Sequence, residues 1–242
     1  MNYSELLASI TPGEGNERST LVPANWMQGR TAYGGLTAAL CLEAALPLSA
    51  GLPIRAAQVA FVGPVNGTVR CRPELLRQGK NTVFVSVRMT GDDGILAECI
   101  FTFGAPRASS LALSELPSPA VPSVADAGNY FRKEGHGPTF AQNFDIRFAG
   151  GSIPMSGAKD ADVSIWMRPR APATPNDAVA LLALADAPPP AAMAMFTAPA
   201  RISSMTWMTE FLTEDIVTDE RWFLARHTAQ TAHNGYSSQQ MV

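Results

Sequence analysis

The chain has 242 residues, of which 46% are hydrophobic and 16% are charged, and its formal net charge is −3. This length and composition fit one large domain or two small ones with a substantial core, and they exclude a disordered or fibrous protein. The slightly negative charge gives too little positive field to hold a phosphate backbone, so we expect no nucleic-acid partner.

The sequence predicts a soluble protein. No apolar run approaches the roughly 18–20 residues that a membrane helix requires, so we expect no membrane partner. The start of the chain, MNYSE at residues 1–5, has neither the basic charge nor the apolar stretch of a secretory signal. We therefore expect a cytoplasmic location.

The first half of the chain predicts one buried helix followed by an antiparallel sheet. Residues 5–10 suggest a short helix, and residues 36–46 (LTAALCLEAAL) predict a helix that is too apolar to lie on a surface. Four strand patterns follow it, separated by turn signals rich in Gly, Pro and Asn, at residues 56–62, 69–77, 82–90 and 95–103.

A change in composition divides the chain. Residues 107–129 contain Pro117, Pro119 and Pro122 and show no helix or strand periodicity, which predicts a linker. The linker separates an N-terminal unit, residues 1–106, from a C-terminal unit, residues 130–242. Near the start of the second unit, His136 lies between two glycines and is expected in a loop.

The second unit repeats the order of a helix followed by strands. Residues 176–184 (NDAVALLAL) predict an apolar helix with Asn176 or Asp177 near its N-terminus. Strand patterns occur at residues 144–148, 161–169, 203–212, 222–232 and 236–242. The repeat predicts a duplicated α+β architecture, although the second unit reaches residue 242 within a strand pattern and a closing strand is expected to be missing.

Five motifs occur in order over nearly the whole chain: Trp26-x-x-Gly29-x-x-x-Tyr33-Gly34-Gly35, FVGP at 61–64, LRQGKN at 76–81, LALAD at 182–186 and SMTWMTEF at 204–211. Together they resemble the acyl-CoA thioesterase II family, the TesB-like double hotdog enzymes. The resemblance implies an α+β double hotdog fold, in which each of two tandem units wraps an antiparallel sheet around a long apolar helix. It also implies hydrolysis of acyl-CoA to a free fatty acid and CoA.

The resemblance further implies a catalytic trio. The family places an Asp near the end of the second helix, a Ser or Thr on the next strand and a Gln on the final strand. When the motifs are aligned, the family's Asp corresponds to Asp186 and its hydroxyl residue to Ser204. Ser203 would take that place if the register were shifted by one residue. The Gln-bearing strand would lie past residue 242. Gln239 and Gln240 match the preceding strand and are not assigned that role.

Thioester hydrolysis requires a water aimed at the carbonyl carbon, a proton acceptor and donors for the oxyanion. Asp186 follows an apolar helix and precedes three prolines, so its carboxylate is expected in an apolar setting. The alternative is a solvated Asp at the end of a helix. Ser204 either binds the same water or satisfies backbone groups at a strand start.

Gly34 and Gly35 have two interpretations that the sequence leaves open. Free amide groups at a helix N-terminus favour an anion, so the two glycines are candidates for an oxyanion hole and for substrate binding. Alternatively, they permit close packing of the helix against the sheet.

No metal site and no cofactor are expected. His227 and His233 have no third ligand at a matching spacing, and the three cysteines, Cys41, Cys71 and Cys99, predict buried free thiols. The sequence has no phosphate loop and no dinucleotide-binding fingerprint.

Two other functions remain open at this point. One is a non-catalytic hotdog protein that binds acyl-CoA or another acyl ligand, and the other is a hotdog hydratase or dehydratase, which would require an Asp and His pair. By resemblance, we also expect a homodimer or a higher homo-oligomer.

Overall fold

Two apolar helices lie between antiparallel sheets in the computed structural model, which describes residues 1–113, 115–131 and 137–242. Ser114 of the predicted linker and His136 lie outside the described residues. The three α-helices are α1 (Tyr3–Ala8), α2 (Gly34–Ala45) and α3 (Ala178–Ala185). Short 3₁₀ helices occur at Ala24–Trp26, Leu46–Leu48, Thr139–Asn143, Ala191–Met195 and Asp219–Arg221.

Capping side chains explain the starts of two of the three α-helices, α1 and α3. At α1, the Asn2 side chain accepts from the Glu5 backbone N–H at 2.9 Å, and the Glu5 carboxylate accepts from the Asn2 N–H at 2.8 Å. This capping box starts the helix at Tyr3, two residues before the predicted start. At α3, Asp177 accepts from the Ala180 N–H at 2.8 Å, so the N-cap is Asp177, one of the two residues that the sequence offered.

The described part of the chain contains fourteen strands. In chain order they are β1 (Thr11–Pro12), β2 (Arg18–Leu21), β3 (Met27–Gln28), β4 (Thr31–Ala32), β5 (Ile54–Phe61), β6 (Thr68–Gln78), β7 (Thr82–Gly91), β8 (Gly94–Gly104), β9 (Gly128–Asn129), β10 (Phe144–Gly151), β11 (Asp162–Pro169), β12 (Thr206–Glu210), β13 (Phe223–His233) and β14 (Tyr236–Met241). The strands β3 and β4 form a small hairpin sheet of their own.

The first large sheet has seven strands in the order β1-β2-β6-β7-β8-β5-β12. It packs against α2, in which ten of twelve residues are buried. The alternate side chains of β7 that face inward, Val83, Val85, Val87 and Met89, have no exposed surface. The prediction of one apolar helix covered by an antiparallel sheet is confirmed.

The second large sheet has the order β14-β13-β11-β10-β9. The strand that follows α3, β12, does not belong to it. Instead, β12 pairs antiparallel with β5 of the first sheet, from Thr206 opposite Ala60 to Glu210 opposite Ala56. The two halves of the chain therefore share a sheet, which the strand pattern at residues 203–212 did not indicate.

The three cysteines are free and buried, as predicted. Hydrogen bonds with the Cys71 and Cys99 thiols, together with burial, raise the pKa of Cys41. A buried thiol that stays protonated is a poor nucleophile, so this group has a packing role.

None of the described helices combines the length and the apolar character needed to cross a membrane.

Candidate active site

The end of α3 meets the start of α2 at the boundary between the two halves. Asp186 is the C-cap of α3, and the N-terminal residues of α2 are Gly34 and Gly35. A Cβ atom added to Gly34 would lie 2.7 Å from the Asp186 Oδ2 atom, and one added to Gly35 would lie 3.1 Å from the Asp186 Cβ atom. Three of the four site residues predicted from the sequence are thus in one place.

Both glycines are required by this close approach. A Cβ on Gly34 would also lie 2.8 Å from the Phe61 ring, and a Cβ on Gly35 would lie 2.4 Å from the Ala183 carbonyl oxygen. Atoms do not approach this closely without a shift of the backbone. The helix start therefore packs directly on the other helix, as well as on the Phe61 ring of β5.

Burial controls the charge of Asp186. Removal from water raises the pKa of its carboxyl group to about 7, whereas a hydrogen bond from the Gly35 backbone amide lowers that pKa. The positive end of a helix favours a carboxylate, which explains why the Gly35 amide lowers the pKa of Asp186. Near neutral pH, Asp186 can both accept and release a proton, as general acid–base catalysis requires.

Tyr33 is a site residue that the sequence did not single out. It is the N-cap residue of α2 and is fully buried, and its hydroxyl donates to the Ala183 carbonyl at 3.0 Å. Its ring stacks on Phe140 with 4.2 Å between the centroids. Burial and the nearby Asp186 raise the pKa of Tyr33, so the hydroxyl remains a donor.

Tyr33 therefore ties the last turn of α3, which carries Asp186, to the start of α2. Its place directly before the two glycines was the available signal in the sequence. The partner carbonyl lies 150 residues away along the chain, so no local pattern could identify it.

Ser204 is joined to this site through the next residue of the chain. The residue after it, Met205, accepts a hydrogen bond through its carbonyl from the Phe61 N–H at 2.9 Å, and the Phe61 ring contacts Gly34. Ser204 and Ser203 are both exposed. Among the described residues, no side-chain hydrogen bond joins Ser204 to Asp186.

Gln239 and Gln240 have other partners. The Gln239 side chain accepts from the Ala191 N–H at 2.8 Å and so holds the 3₁₀ helix Ala191–Met195 to β14. The Gln240 side chain accepts from Gln230 across the β13–β14 hairpin at 3.4 Å.

The two histidines of β13 differ in environment. His227 is fully buried, and its ring nitrogens have no hydrogen-bond partner in the part of the chain that the structure describes, whereas His233 is exposed. No group of three metal-ligating side chains was found within residues 1–113, 115–131 and 137–242.

A cavity of about 340 Å³ borders α3 on the side that faces α1. Its lining includes Tyr3, Trp26, Phe144, Ala180 and Ala183. The mostly apolar wall gives room for the apolar part of a small ligand beside the helix that carries Asp186.

Two family models match the sequence. Residues 22–104 match the acyl-CoA thioesterase N-terminal domain, and residues 117–242 match the acyl-CoA thioesterase C-terminal domain. The chain belongs to the acyl-CoA thioesterase family. No curated protein matches the sequence of this family member.

Solved structures share the fold of this chain. A conserved hot dog protein of unknown function from Alicyclobacillus acidocaldarius is 24% identical, with a TM-score of 0.86 over 99% of this chain and 90% of that one. The tesB protein of Mycobacterium avium subspecies paratuberculosis is 18% identical, with a TM-score of 0.77 over 100% and 92% of the two chains. The acyl-CoA thioesterase II TesB2 of Mycobacterium marinum is 17% identical, with a TM-score of 0.74 over 98% and 90%. The predicted α+β double hotdog fold is confirmed.

Proposed function

We propose that this member of the acyl-CoA thioesterase family is a thioester hydrolase, which converts acyl-CoA and water to a free fatty acid and CoA. The observation that carries the proposal is the Asp186 carboxyl group at the end of α3, which lies against the start of α2 in the first half of the chain and has a pKa raised by desolvation to about 7. Perturbed carboxyl groups at such junctions are typical of catalytic sites.

In the proposed reaction, the Asp186 carboxylate accepts a proton from a water molecule as the water oxygen attacks the thioester carbonyl carbon. Ser204 orients this water, and the Gly34 amide donates to the oxyanion that develops, while the Gly35 amide bonds Asp186. The carbon–sulfur bond then breaks, and the proton held by Asp186 passes to the leaving thiolate. The apolar cavity beside α3 offers space for the acyl chain.

Ser204 also supports a second candidate function. Its side chain is exposed, and among the described residues it has no hydrogen bond to Asp186. A protein that binds acyl-CoA without hydrolysing it would not require that connection. A hydratase is less well supported, because the two β13 histidines, one buried and one exposed, do not contact Asp186 through any hydrogen bond of the described residues.

The experiment that tests the proposal is thiol release from a panel of short, medium and long acyl-CoA thioesters. We expect Asp186→Asn to lower kcat/KM by on the order of 100-fold or more, because the amide cannot accept the proton from water. The panel also reports which acyl chain length is preferred.

Asp177→Asn is the matched control. Asp177 belongs to the same helix and undergoes the same chemical change, and Asn caps a helix as well as Asp does. This variant should keep the activity of the unchanged chain. If the chain binds acyl-CoA but releases no thiol from any member of the panel, the hydrolase proposal is wrong and the binding protein is favoured.

The cellular part of the proposal is a role in fatty acid metabolism in the cytoplasm. Association of the chain into a homodimer or a larger homo-oligomer stays a prediction.

A further inference from the structure

The last turn of α3 contains a carbonyl oxygen that the helix itself does not satisfy. In a continuing helix, the Ala183 carbonyl would accept a hydrogen bond from the Ala187 N–H. Here the Ala187 N–H donates to the Leu184 carbonyl at 2.9 Å, and the N–H of the C-cap residue, Asp186, donates to the same carbonyl. Ala183 is buried, so bulk water does not replace the missing donor.

The Tyr33 hydroxyl supplies this donor from the other half of the chain, at 3.0 Å from the Ala183 oxygen. The Tyr33 ring has three aromatic neighbours that restrict its rotation. The Phe140 and Trp26 rings lie nearly parallel to it at centroid distances of 4.2 and 6.3 Å, and the Phe144 ring lies edge-on at 6.0 Å. Because the ring is buried and packed on three others, its hydroxyl is held in one place.

The hydroxyl contact lies beside the point where α2 meets Asp186. A Cβ atom added to Gly35 would lie 2.6 Å from the Tyr33 Cε2 atom and 3.1 Å from the Asp186 Cβ atom. The Gly35 amide also donates to the Asp186 carboxyl group. Ala183 lies within one helical turn of Asp186, so a movement of the Ala183 carbonyl also moves the carboxylate relative to α2.

We infer that Tyr33 is a positioning residue for the hydrolysis proposed above, an inference that rests on that function. The Tyr33 hydroxyl holds the last turn of α3 against α2, and this contact keeps the Asp186 carboxylate directed at the attacking water. Tyr33 acts through the helix and not on the reacting atoms. A displacement of a catalytic group by about 1 Å costs on the order of 100-fold in rate, which sets the size of the expected effect.

Loss of the hydroxyl should also change the surroundings of Asp186. Within the described residues, desolvation and the Gly35 amide determine its pKa, and no charged side chain contributes. The titratable side chain that faces it, Tyr33, stays protonated because burial raises its pKa. Without a donor, the buried Ala183 carbonyl destabilises the folded chain unless water reaches it. Water that enters there also solvates the carboxylate, so the pKa of Asp186 should fall toward its ordinary value.

The test is Tyr33→Phe, which removes the hydroxyl and keeps the ring in its stack. Thiol release from the preferred acyl-CoA of the panel is measured between about pH 5 and pH 9. We expect kcat to fall by about tenfold to 100-fold, with KM changed by less than about twofold, because the substrate contacts remain in place. The acid-side midpoint of the kcat profile should fall by about one pH unit.

A second measurement does not depend on turnover. In protein that carries isotope-labelled aspartate carboxyl groups, the nuclear magnetic resonance signal that is absent from Asp186→Asn belongs to Asp186. Titration of this signal gives the pKa of Asp186 directly. We expect that pKa to be lower in Tyr33→Phe than in the unchanged chain by about one unit.

Tyr130→Phe is the matched control. It makes the same chemical change at a buried hydroxyl that has no hydrogen-bond partner in the part of the chain that the structure describes. This variant should keep the kcat, the pH profile and the Asp186 titration of the unchanged chain. A loss in Tyr130→Phe equal to that in Tyr33→Phe would mean that the effect is general destabilisation, and the inference would be wrong.

The two measurements separate a failure of this inference from a failure of the proposed function. If the unchanged chain releases thiol and Tyr33→Phe keeps its kcat, or loses activity through KM alone, Tyr33 does not position Asp186. If the unchanged chain releases no thiol, the hydrolase proposal fails and the titration decides the role of Tyr33. An Asp186 signal with the same pKa in both proteins then overturns the inference, whereas a lowered pKa in Tyr33→Phe supports the positioning contact.

Discussion

At the scale of single residues, Asp186 couples the site to pH. Its pKa is about 7 in the folded protein against an ordinary value of 3.8, so the folded state binds the proton more tightly than the unfolded state does. The associated stability is fully present below about pH 4 and is lost as the pH rises through 7. A desolvated carboxylate that lowers stability and is nevertheless present is typical of a functional residue.

Asp186→Asn should therefore be more stable than the unchanged chain at pH 8. We expect the free energy of unfolding to rise by on the order of 1–3 kcal/mol at pH 8 and to change little at pH 4. Urea denaturation at the two pH values measures this difference. An Asn variant that is less stable at both pH values would show that the Asp186 carboxylate instead stabilises the folded protein.

The stability contribution of His227 has the opposite dependence on pH. Burial lowers its pKa to about 4 from an ordinary value of 6.5, whereas the negative charge of Asp162 raises it. The unfolded state then binds more protons between these values, so stability is lost as the pH falls from 6.5 to 4. The structure predicts acid sensitivity in the second half of the chain.

Between pH 7 and pH 5, this single histidine should cost the unchanged chain about 2 kcal/mol of unfolding free energy. His227→Leu should lose markedly less over the same interval, since it removes the titrating group. His233→Leu, a change on the same strand at an exposed position, should keep the full loss. Equal pH dependence in all three proteins would contradict the assignment.

At the scale of elements, the contact between α2 and α3 organises the candidate site. The two helices belong to different halves, and the approach is close enough that Gly35 lies against the Ala183 carbonyl. The Tyr33 hydroxyl donates to that same carbonyl. Glycine in a helix normally costs stability, so its presence here follows from the lack of space.

Gly35→Ala tests this contact. Alanine is the better helix former, but its Cβ would lie 2.4 Å from a backbone oxygen, so the helices must separate. We expect a loss of about 1–3 kcal/mol in unfolding free energy, together with reduced thiol release.

Gly128→Ala is the control for Gly35→Ala, because a Cβ at Gly128 meets nothing within 4 Å. It should be close to neutral in both stability and activity. If Gly35→Ala instead stabilises the chain, the close helix contact does not exist in solution.

At the scale of the whole molecule, the first large sheet combines six strands of the first half with β12 of the second half. The β5–β12 ladder, an ion pair between Arg55 and Glu214, and the α2–α3 contact all cross the boundary. Elements that share a sheet and a core lose their packing together when either half unfolds. The two halves should therefore behave as one cooperative unit.

We expect urea unfolding followed by tryptophan fluorescence and by far-UV circular dichroism to give coincident transitions. Tryptophans lie in both halves, at residues 26, 166, 207 and 222. Two separated transitions would mean that the halves are independent, and the shared sheet would then be a weak contact.

Local signals predicted most of the elements. The apolar runs that form α2 and α3, and the alternating patterns of β6, β7 and β8, were identified within a few residues because helices and strands have their own periodicity. Strand β2 was missed, since its four residues are too short for a pattern. The start of α1 was placed late because the capping role of Asn2 was not considered.

The sequence by itself determined two apolar helices, the strands around them, the family resemblance and the placing of Asp186 after an apolar run. Only the tertiary structure decided that β12 pairs with β5, that Asp186 lies on Gly34 and Gly35, and that Tyr33 binds the Ala183 carbonyl. The physical reason is range: periodicity and capping act within a few residues, whereas these contacts join segments about 150 residues apart.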